Sequence, residues 1–305
     1  MSEHPQHLVK YLNPDAVSRI AAIGLKPSQR VEGSLVGNHR SPFHGFAIEF
    51  AGHRQYVPGD DLRHLDWRLF FKSGRYYTKQ YELETNFVAH LLVDISSTMT
   101  FEHKHGRKWD YAAFMAVTLA NAVVAQGDQT AATLFANDIV ETMPPSGAEE
   151  AGITLSRLLT HTPPKDQTAI GRVLTQIAEQ IGRRKVVFVI SDFFGDLDSI
   201  FDGIRRLLYS RNEVILLHVL DPLEMDFTYP GRVELIELEG QGRIKLEGRN
   251  IRDSYNALFA KYLAEIKTRS LQLNVDYIRC ITSENFGITL SEYMNTRILT
   301  RGGRP

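Results

Sequence analysis

From Leu91 onward, short unbroken apolar runs alternate with longer segments of helical pattern, and this alternation restricts the chain to few folds. The runs "VVFVI" and "VILLHV" lack polar alternation, which is typical of strands buried on both faces of a sheet. Segments such as "KWDYAAFMAVTLANAVVAQ" and "AIGRVLTQIAEQI" lie between such runs. Strands that alternate with helices favour a mostly parallel sheet covered on both faces. We therefore predict a doubly wound α/β domain over residues 86–299, with a loop between "TAATLFAND" and "AIGRVLTQIAEQI".

The segments outside this pattern predict smaller features. Residues 1–85 combine a short helical stretch, "NPDAVSRIAAIGL", with Gly-punctuated alternating runs, so we expect an N-terminal helix plus a β-rich segment. Two alternating runs flank "GQG" near residues 232–249 and predict an inserted β-hairpin. We expect residues 300–305, "TRGGRP", to be a disordered tail.

Charge, cysteine content and hydropathy disfavour nucleic-acid binding, an oxidising compartment and membrane insertion. The net charge of -1, with Lys+Arg 35 against Asp+Glu 36, provides no long-range field to attract nucleic acid. The single cysteine, Cys280, allows no intrachain disulfide, which is usual in a reducing compartment. The sequence shows no signal pattern and no apolar run approaching the ~20 residues of a membrane span. We expect a cytoplasmic protein without direct membrane insertion.

Polar oxygens follow the first apolar run of the α/β pattern, in "LLVDISSTMT". Asp94, Ser96 and Thr98 occupy alternate positions there, and ligands of doubly wound sheets bind outside the carboxyl ends of the strands. Asp192 follows the later run "KVVFVIS", and Thr168 lies in the loop "PPKDQTAIG" before a helix. Oxygen ligands suit Mg²⁺, Mn²⁺ or Ca²⁺. Taken singly, Ser96, Thr98 and Thr168 are more typical of helix caps and turns than of metal ligands, but three elements in order at strand and helix ends favour a metal site.

These elements together resemble the metal-ion-dependent adhesion site of von Willebrand factor A domains. The first motif of that family, Asp-x-Ser-x-Ser, matches Asp94, Ser96 and Thr98, with Thr as its last member. The loop threonine matches Thr168, without the glycines that usually precede it, and the distal aspartate matches Asp192. The resemblance implies that hydroxyls bind Mg²⁺ or Mn²⁺, with Ca²⁺ also compatible. It also implies an open metal position that takes an acidic side chain from a partner protein.

A second resemblance covers most of the chain. The stretch "RQYVPGDDLRHLDWRLFFKSGRYYTKQYELETN" is similar to the signature of domain-of-unknown-function family 58, whose members carry a von Willebrand factor A-like domain. The matching residues are Tyr56, Pro58, Gly59, Asp60, Asp61, Arg63, Asp66, Trp67, Glu82 and Glu84. We interpret the stretch as a structural latch between the β-rich part and the α/β domain, with an interaction surface as the alternative. The family resemblance implies a MoxR-type AAA+ ATPase as partner, in chaperone-like assembly or maturation.

Two alternatives to a non-enzymatic, metal-dependent protein-binding module remain open. The stretch "DISST" differs by one serine from the Asp-x-Asp-x-Thr motif of haloacid-dehalogenase-type phosphatases. In that chemistry Asp94 would attack phosphorus with Mg²⁺ assistance. The second alternative is a metal-free scaffold in which the site is vestigial.

Overall fold

The computed structural model describes residues 10–25, 27, 47–57, 65–84, 87–165, 167, 169–228, 231–236 and 243–301. The chain divides into two compact units: Glu32–Asn86, and Met1–Val31 together with Phe87–Pro305. The N-terminal helix, α1 (Pro14–Ile23), therefore belongs to the α/β unit, whereas we predicted it beside the β-rich segment. The Asn13 side chain caps this helix by accepting from the amide of Ala16 at 3.1 Å, and Pro14 fits its first turn.

In the described part of the smaller unit, a helix lies in the chain between two paired strands. Strand β1 (Ala47–Gln55) pairs antiparallel with β2 (Tyr77–Glu84), and helix α2 (Trp67–Ser73) lies between them in the chain. Asp66 begins the helix by accepting from the amides of Arg68 and Leu69 at 2.9 and 3.0 Å. Gly74 ends it in a left-handed conformation, φ 67°, which glycine adopts without steric cost.

The larger unit contains the remaining strands and helices. After β3 (Val88–Asp94) comes a 3₁₀ turn, Ser97–Thr100. The later elements are β4 (Glu102–His103), β5 (Gly106–Arg107), α3 (Lys108–Ala125), β6 (Gln129–Phe135), β7 (Ile139–Ser146), α4 (Ala151–His161), α5 (Ile170–Gln180), β8 (Val186–Ser191), α6 (Leu197–Tyr209), β9 (Glu213–Leu220), α7 (Pro222–Met225), β10 (Arg232–Ile236), β11 (Arg243–Glu247), α8 (Gly248–Gln272), β12 (Asp276–Ile281) and α9 (Phe286–Arg301).

The central sheet has six strands in the order β12-β9-β8-β3-β6-β7. All neighbours in it are parallel except β6 and β7, which pair antiparallel at one edge. The predicted α/β fold with a mostly parallel sheet is confirmed. Every residue of β3, β8 and β9 is buried, because helices cover both faces of the sheet. The loop that we predicted after β6 is wrong, since this segment forms β7 and α4.

Two apolar clusters, one on each side of the sheet, form the core. Leu91 and Val93 pack with residues of α1, α3, α4 and α9, whereas Leu92 packs with residues of α5, α6 and α8. This alternation follows from the two-residue period of a strand. Cys280 is buried in the first cluster, where a free cysteine packs as a small apolar side chain.

The remaining predictions on chain organisation concern the C-terminal part. Strands β10 and β11 pair antiparallel, and residues 237–242 between them lie outside the described residues. Helix α9 continues to Arg301, so it includes the start of the predicted tail, and residues 302–305 lie outside the described residues. Within the part of the chain that the structure describes, no helix combines the length and apolar character needed to span a membrane.

Candidate metal centre

Strands β3 and β8 are neighbours, and their carboxyl ends bring the first and last sequence motifs together. Val93 lies opposite Ile190 in the parallel register, so Asp94 and Ser191 follow at the same edge of the sheet. The hydroxyl of Ser191 donates to Asp94 Oδ2 at 2.6 Å. The structure therefore joins "VDISST" and "VISD" at one site, as the parallel-sheet prediction requires.

The hydroxyls of Ser96 and Thr98 form the most distinctive feature of this edge. Ser96 occupies the N-cap position of the 3₁₀ turn, yet its side chain makes no capping hydrogen bond. Its Oγ instead lies 3.0 Å from Thr98 Oγ1. Adjacent ligands of an octahedral Mg²⁺, each bound at about 2.0–2.1 Å, are about 3 Å apart. The Ser96 side chain therefore does not cap the turn. Its hydroxyl shares a hydrogen bond with that of Thr98, and the distance between the two oxygens is also that of two neighbouring metal ligands.

Asp94 is completely buried and both of its carboxylate oxygens accept hydrogen bonds. Oδ1 accepts from the amide of Ser96 at 2.8 Å, and Oδ2 accepts from Ser191. Burial and the nearby charge of Asp192 raise the pKa of Asp94 well above its usual range, against the lowering effect of these hydrogen bonds. An anion in this position is poorly stabilised by its surroundings. A cation at the neighbouring hydroxyl pair would stabilise its charged form.

Lys108 provides a fixed positive charge beside the second carboxylate. Its ammonium donates to Asp192 Oδ2 at 2.7 Å and to Glu224 Oε1 at 2.8 Å. The lysine is 1% exposed and Asp192 is also 1% exposed. Burial lowers the pKa of Lys108, but the two carboxylates outweigh burial and hold it above its ordinary value. Burial raises the pKa of Asp192, and the ammonium of Lys108 more than reverses that effect.

Glu224 connects this cluster to the segment after β9. Its Oε2 accepts from the amide of Asp221 at 2.9 Å, while Asp221 accepts from the amide of Leu223, so the two residues form a capping box around α7. Burial raises the pKa of Glu224 in spite of Lys108. The Lys108 ammonium is therefore bound by carboxylates that follow two different strands, β8 and β9.

Lys165 and Ala169, which flank Thr168 in the chain, approach the same edge, and Thr168 itself lies outside the described residues. The amide of Lys165 donates to the carbonyl of Ile95 at 2.8 Å, and the amide of Ala169 donates to the carbonyl of Ala136 at 3.3 Å. The residues flanking Thr168 are thus bonded to the segments that follow β3 and β6. The predicted role of Thr168 stays a prediction.

The donor set is compatible with Mg²⁺ or Mn²⁺ but not with a site made of many charged ligands. Among the described residues, no group of three or more His, Cys, Asp or Glu side chains is arranged to hold a metal ion. Neutral hydroxyls from Ser96 and Thr98 would be the direct ligands. Asp94 and Asp192 would be the nearby acidic groups, and Lys108 already neutralises one of them.

The sequence patterns do not indicate a role for Lys108 or Glu224 at this site. A lysine at the first residue of a helix is normally solvated, and nothing local to "RKWDYAA" indicates a buried cation. The stretch "LDPLE" offered a clue, because Asp-Pro-x-Glu has the spacing of a capping box. The pairing itself joins residues 116 positions apart and depends on the sheet order.

Comparison with known proteins identifies the family. Residues 52–265 match the family described as "Protein of unknown function DUF58". The chain belongs to the DUF58 family. Of the signature residues of this DUF58 protein, Tyr56, Asp66, Trp67, Glu82 and Glu84 lie within the described residues, and Pro58, Gly59, Asp60, Asp61 and Arg63 lie outside them.

Relatives of the DUF58 chain include uncharacterized proteins of Mycobacterium bovis and Mycobacterium tuberculosis. Each is 26% identical over 233 residues, covering 74% of this chain and 72% of the relative. An aerotolerance-related membrane protein of Bacteroides fragilis is 17% identical and covers 70% of this chain and 99% of its own, with a TM-score of 0.44. BatB of Bacteroides thetaiotaomicron is 16% identical with the same coverage and a TM-score of 0.44. Similarity at this level does not define a function.

Proposed function

We propose that this DUF58 protein is a non-enzymatic, metal-dependent protein-binding module whose larger unit is a von Willebrand factor A-like domain. The observation that carries the proposal is the Ser96 and Thr98 hydroxyl pair, 3.0 Å apart, beside two buried aspartates at the carboxyl edge of neighbouring strands. Binding at that edge agrees with the general behaviour of parallel α/β sheets.

The charges around the hydroxyl pair favour an anionic partner group. Ser96, Thr98 and Thr168 would hold Mg²⁺ or Mn²⁺ through neutral oxygens, with Asp94 and Asp192 as the adjacent carboxylates. Because Lys108 pairs with Asp192, few negative charges offset the charge of the ion. A bound ion of this kind would act as an electrophilic anchor for a carboxylate. We propose that an acidic side chain of a partner protein supplies that group.

A MoxR-type AAA+ ATPase is the partner that we propose, on the basis of the family resemblance. The test is a binding titration of the full chain against the purified MoxR-type ATPase of the same genome, with Mg²⁺ or with EDTA. We expect binding that requires the metal and that Ser96→Ala abolishes, whereas Ser97→Ala serves as the matched control. Binding that EDTA and Ser96→Ala both leave unchanged would contradict the proposal.

Lys108 favours a second candidate, a metal-free scaffold. Its ammonium is a cation that the fold itself supplies, and it balances Asp192 without a metal. This candidate predicts partner binding that is indifferent to EDTA. The phosphatase alternative has no comparable support, because Asp94 is 0% exposed and both of its oxygens accept hydrogen bonds. A nucleophilic carboxylate needs an oxygen that faces the phosphorus.

A further inference from the structure

In the described part of the smaller unit, several aromatic side chains pack against one another. Phe70 stacks on Tyr76 with ring centroids 4.4 Å apart, and Tyr56 contacts Tyr76 edge-on at 6.3 Å. Phe70 and Tyr56 are half-buried, and Leu65 is buried. These side chains explain how a hairpin and a short helix hold together, since a two-stranded hairpin alone is marginally stable.

Trp67 and Phe71 lie outside this small core. Trp67 is 54% exposed and Phe71 is 82% exposed, and they occupy positions i and i+4 on one side of α2. Trp67 contacts Phe70 edge-on at 6.2 Å, and Phe71 contacts it at 5.7 Å. Tyr76 extends the surface and is 48% exposed. Trp67 belongs to the signature stretch for which an interaction surface is the alternative to a structural latch.

Exposed aromatic surface of this kind contributes little to folding. The free energy of apolar burial scales with the area removed from water, so the outer faces of Trp67 and Phe71 gain nothing in the folded unit. Clusters of such side chains, unlike single ones, are characteristic of interaction sites. Tryptophan, tyrosine and arginine are the residue types most enriched at the energetic centres of protein interfaces.

Three basic side chains border the aromatic surface. Arg68 and Lys72 lie at positions i and i+4 of α2, beside the aromatic stripe, and Arg75 follows the helix. None of the three forms an ion pair with another residue in the described part of the chain. Asp66, the nearby acid, caps α2 and pairs with His53 at 2.9 Å. This positive charge is local, because the whole chain has a net charge of -1.

We propose that Trp67, Phe71 and Tyr76, bordered by Arg68, Lys72 and Arg75, form a docking surface for an acidic protein segment that carries apolar side chains. We name it the aromatic-basic surface. Its apolar centre and charged border match the general anatomy of protein interfaces, and the border sets the sign of the partner's charge. A lipid surface fits less well, because a short helix with two outward rings provides only a weak membrane signal. The overall charge disfavours nucleic acid.

The test uses a fluorescein-labelled helical peptide with leucine on one face and glutamate on the other. Anisotropy is measured with the full chain in EDTA. Because EDTA removes any bound metal, peptide binding under these conditions does not depend on the proposed metal site. We expect saturable binding that Phe71→Ser weakens about tenfold or more, the loss of one interface hot spot. Arg68→Glu should weaken it as well. Leu299→Ser, which changes a side chain 81% exposed on α9, is the matched control and should leave binding unchanged.

Three results would overturn the proposal. The first is the absence of saturable peptide binding, or equal binding by Phe71→Ser and wild type. The second is flotation with vesicles of phosphatidylcholine and phosphatidylglycerol that Phe71→Ser abolishes, without peptide binding, which would identify a lipid surface. The third is a dimer in sedimentation that Phe71→Ser converts to monomer, which would identify a second copy as the occupant. Circular dichroism of both variants establishes that each is folded.

Discussion

Replacing Lys108 by methionine tests the buried charge cluster. Methionine preserves most of the side-chain volume but removes the ammonium. In the wild type this ammonium donates hydrogen bonds to Asp192 at 2.7 Å and to Glu224 at 2.8 Å. Asp192 then remains buried and unpaired beside a second carboxylate. Removing one partner of a buried ion pair costs about 3–5 kcal/mol, because the remaining charge keeps its desolvation penalty. We expect Lys108→Met to lower the free energy of unfolding by about this amount.

Urea denaturation at neutral pH measures the effect. Lys104→Met is the control, since Lys104 is exposed and such changes usually stay within about 0.5 kcal/mol. The double variant Lys108→Met/Glu224→Gln should recover part of the loss, because it removes one of the two uncompensated acids. A loss below about 1 kcal/mol for Lys108→Met would refute the reasoning, since it would mean that the acids are neutral or solvated.

Two further predictions concern the core. Burial and the charge of Lys185 lower the pKa of His90 from 6.5 to about 4. Between these two values His90 is protonated in the unfolded chain but neutral in the folded one, so lowering the pH through this range favours unfolding. We expect the free energy of unfolding to fall by about 2 kcal/mol between neutral pH and pH 5 because of this residue. Urea denaturation at both pH values should show a smaller fall for His90→Gln than for wild type. Gly171→Ala would place a Cβ 2.4 Å from the backbone carbon of Ser199, where α5 packs on α6. We expect a loss of about 1–3 kcal/mol, whereas Gly147→Ala, with its nearest contact at 3.6 Å, should be nearly neutral in the same measurement.

The parts of the fold that the sequence predicts well are those with a strong local pattern. Unbroken apolar runs identified β3, β8 and β9, because strands buried on both faces carry no polar alternation. Strand β7 was missed since its sequence, "IVETMPPS", contains two prolines. Proline is tolerated at a sheet edge but argues against a central strand, and the sequence alone does not reveal which strand is at the edge.

Some residues of the candidate site also follow from local sequence patterns, whereas others depend on the order of strands in the sheet. That Asp94, Ser96, Thr98 and Asp192 lie near one edge was predictable, because they occur at or shortly after the ends of apolar runs and parallel strands bring their carboxyl ends together. Their role as a metal site stays a prediction. Lys108 and Glu224 were not, because their pairing depends on the position of β9 beside β8. The partner of the Ser96 hydroxyl was also beyond the sequence, since only the geometry distinguishes a serine that caps a helix from one that hydrogen-bonds a neighbouring hydroxyl.

Calorimetric titration of the chelator-treated protein with Mg²⁺ and Mn²⁺ tests the central proposal most directly. We predict saturable binding by wild type and by Ser97→Ala, whose serine neighbours the site without belonging to the hydroxyl pair. Ser96→Ala should abolish binding, because it removes one of two oxygens 3.0 Å apart. Equal binding by Ser96→Ala and wild type, or no binding by the wild type, would contradict a metal site at this edge of the sheet.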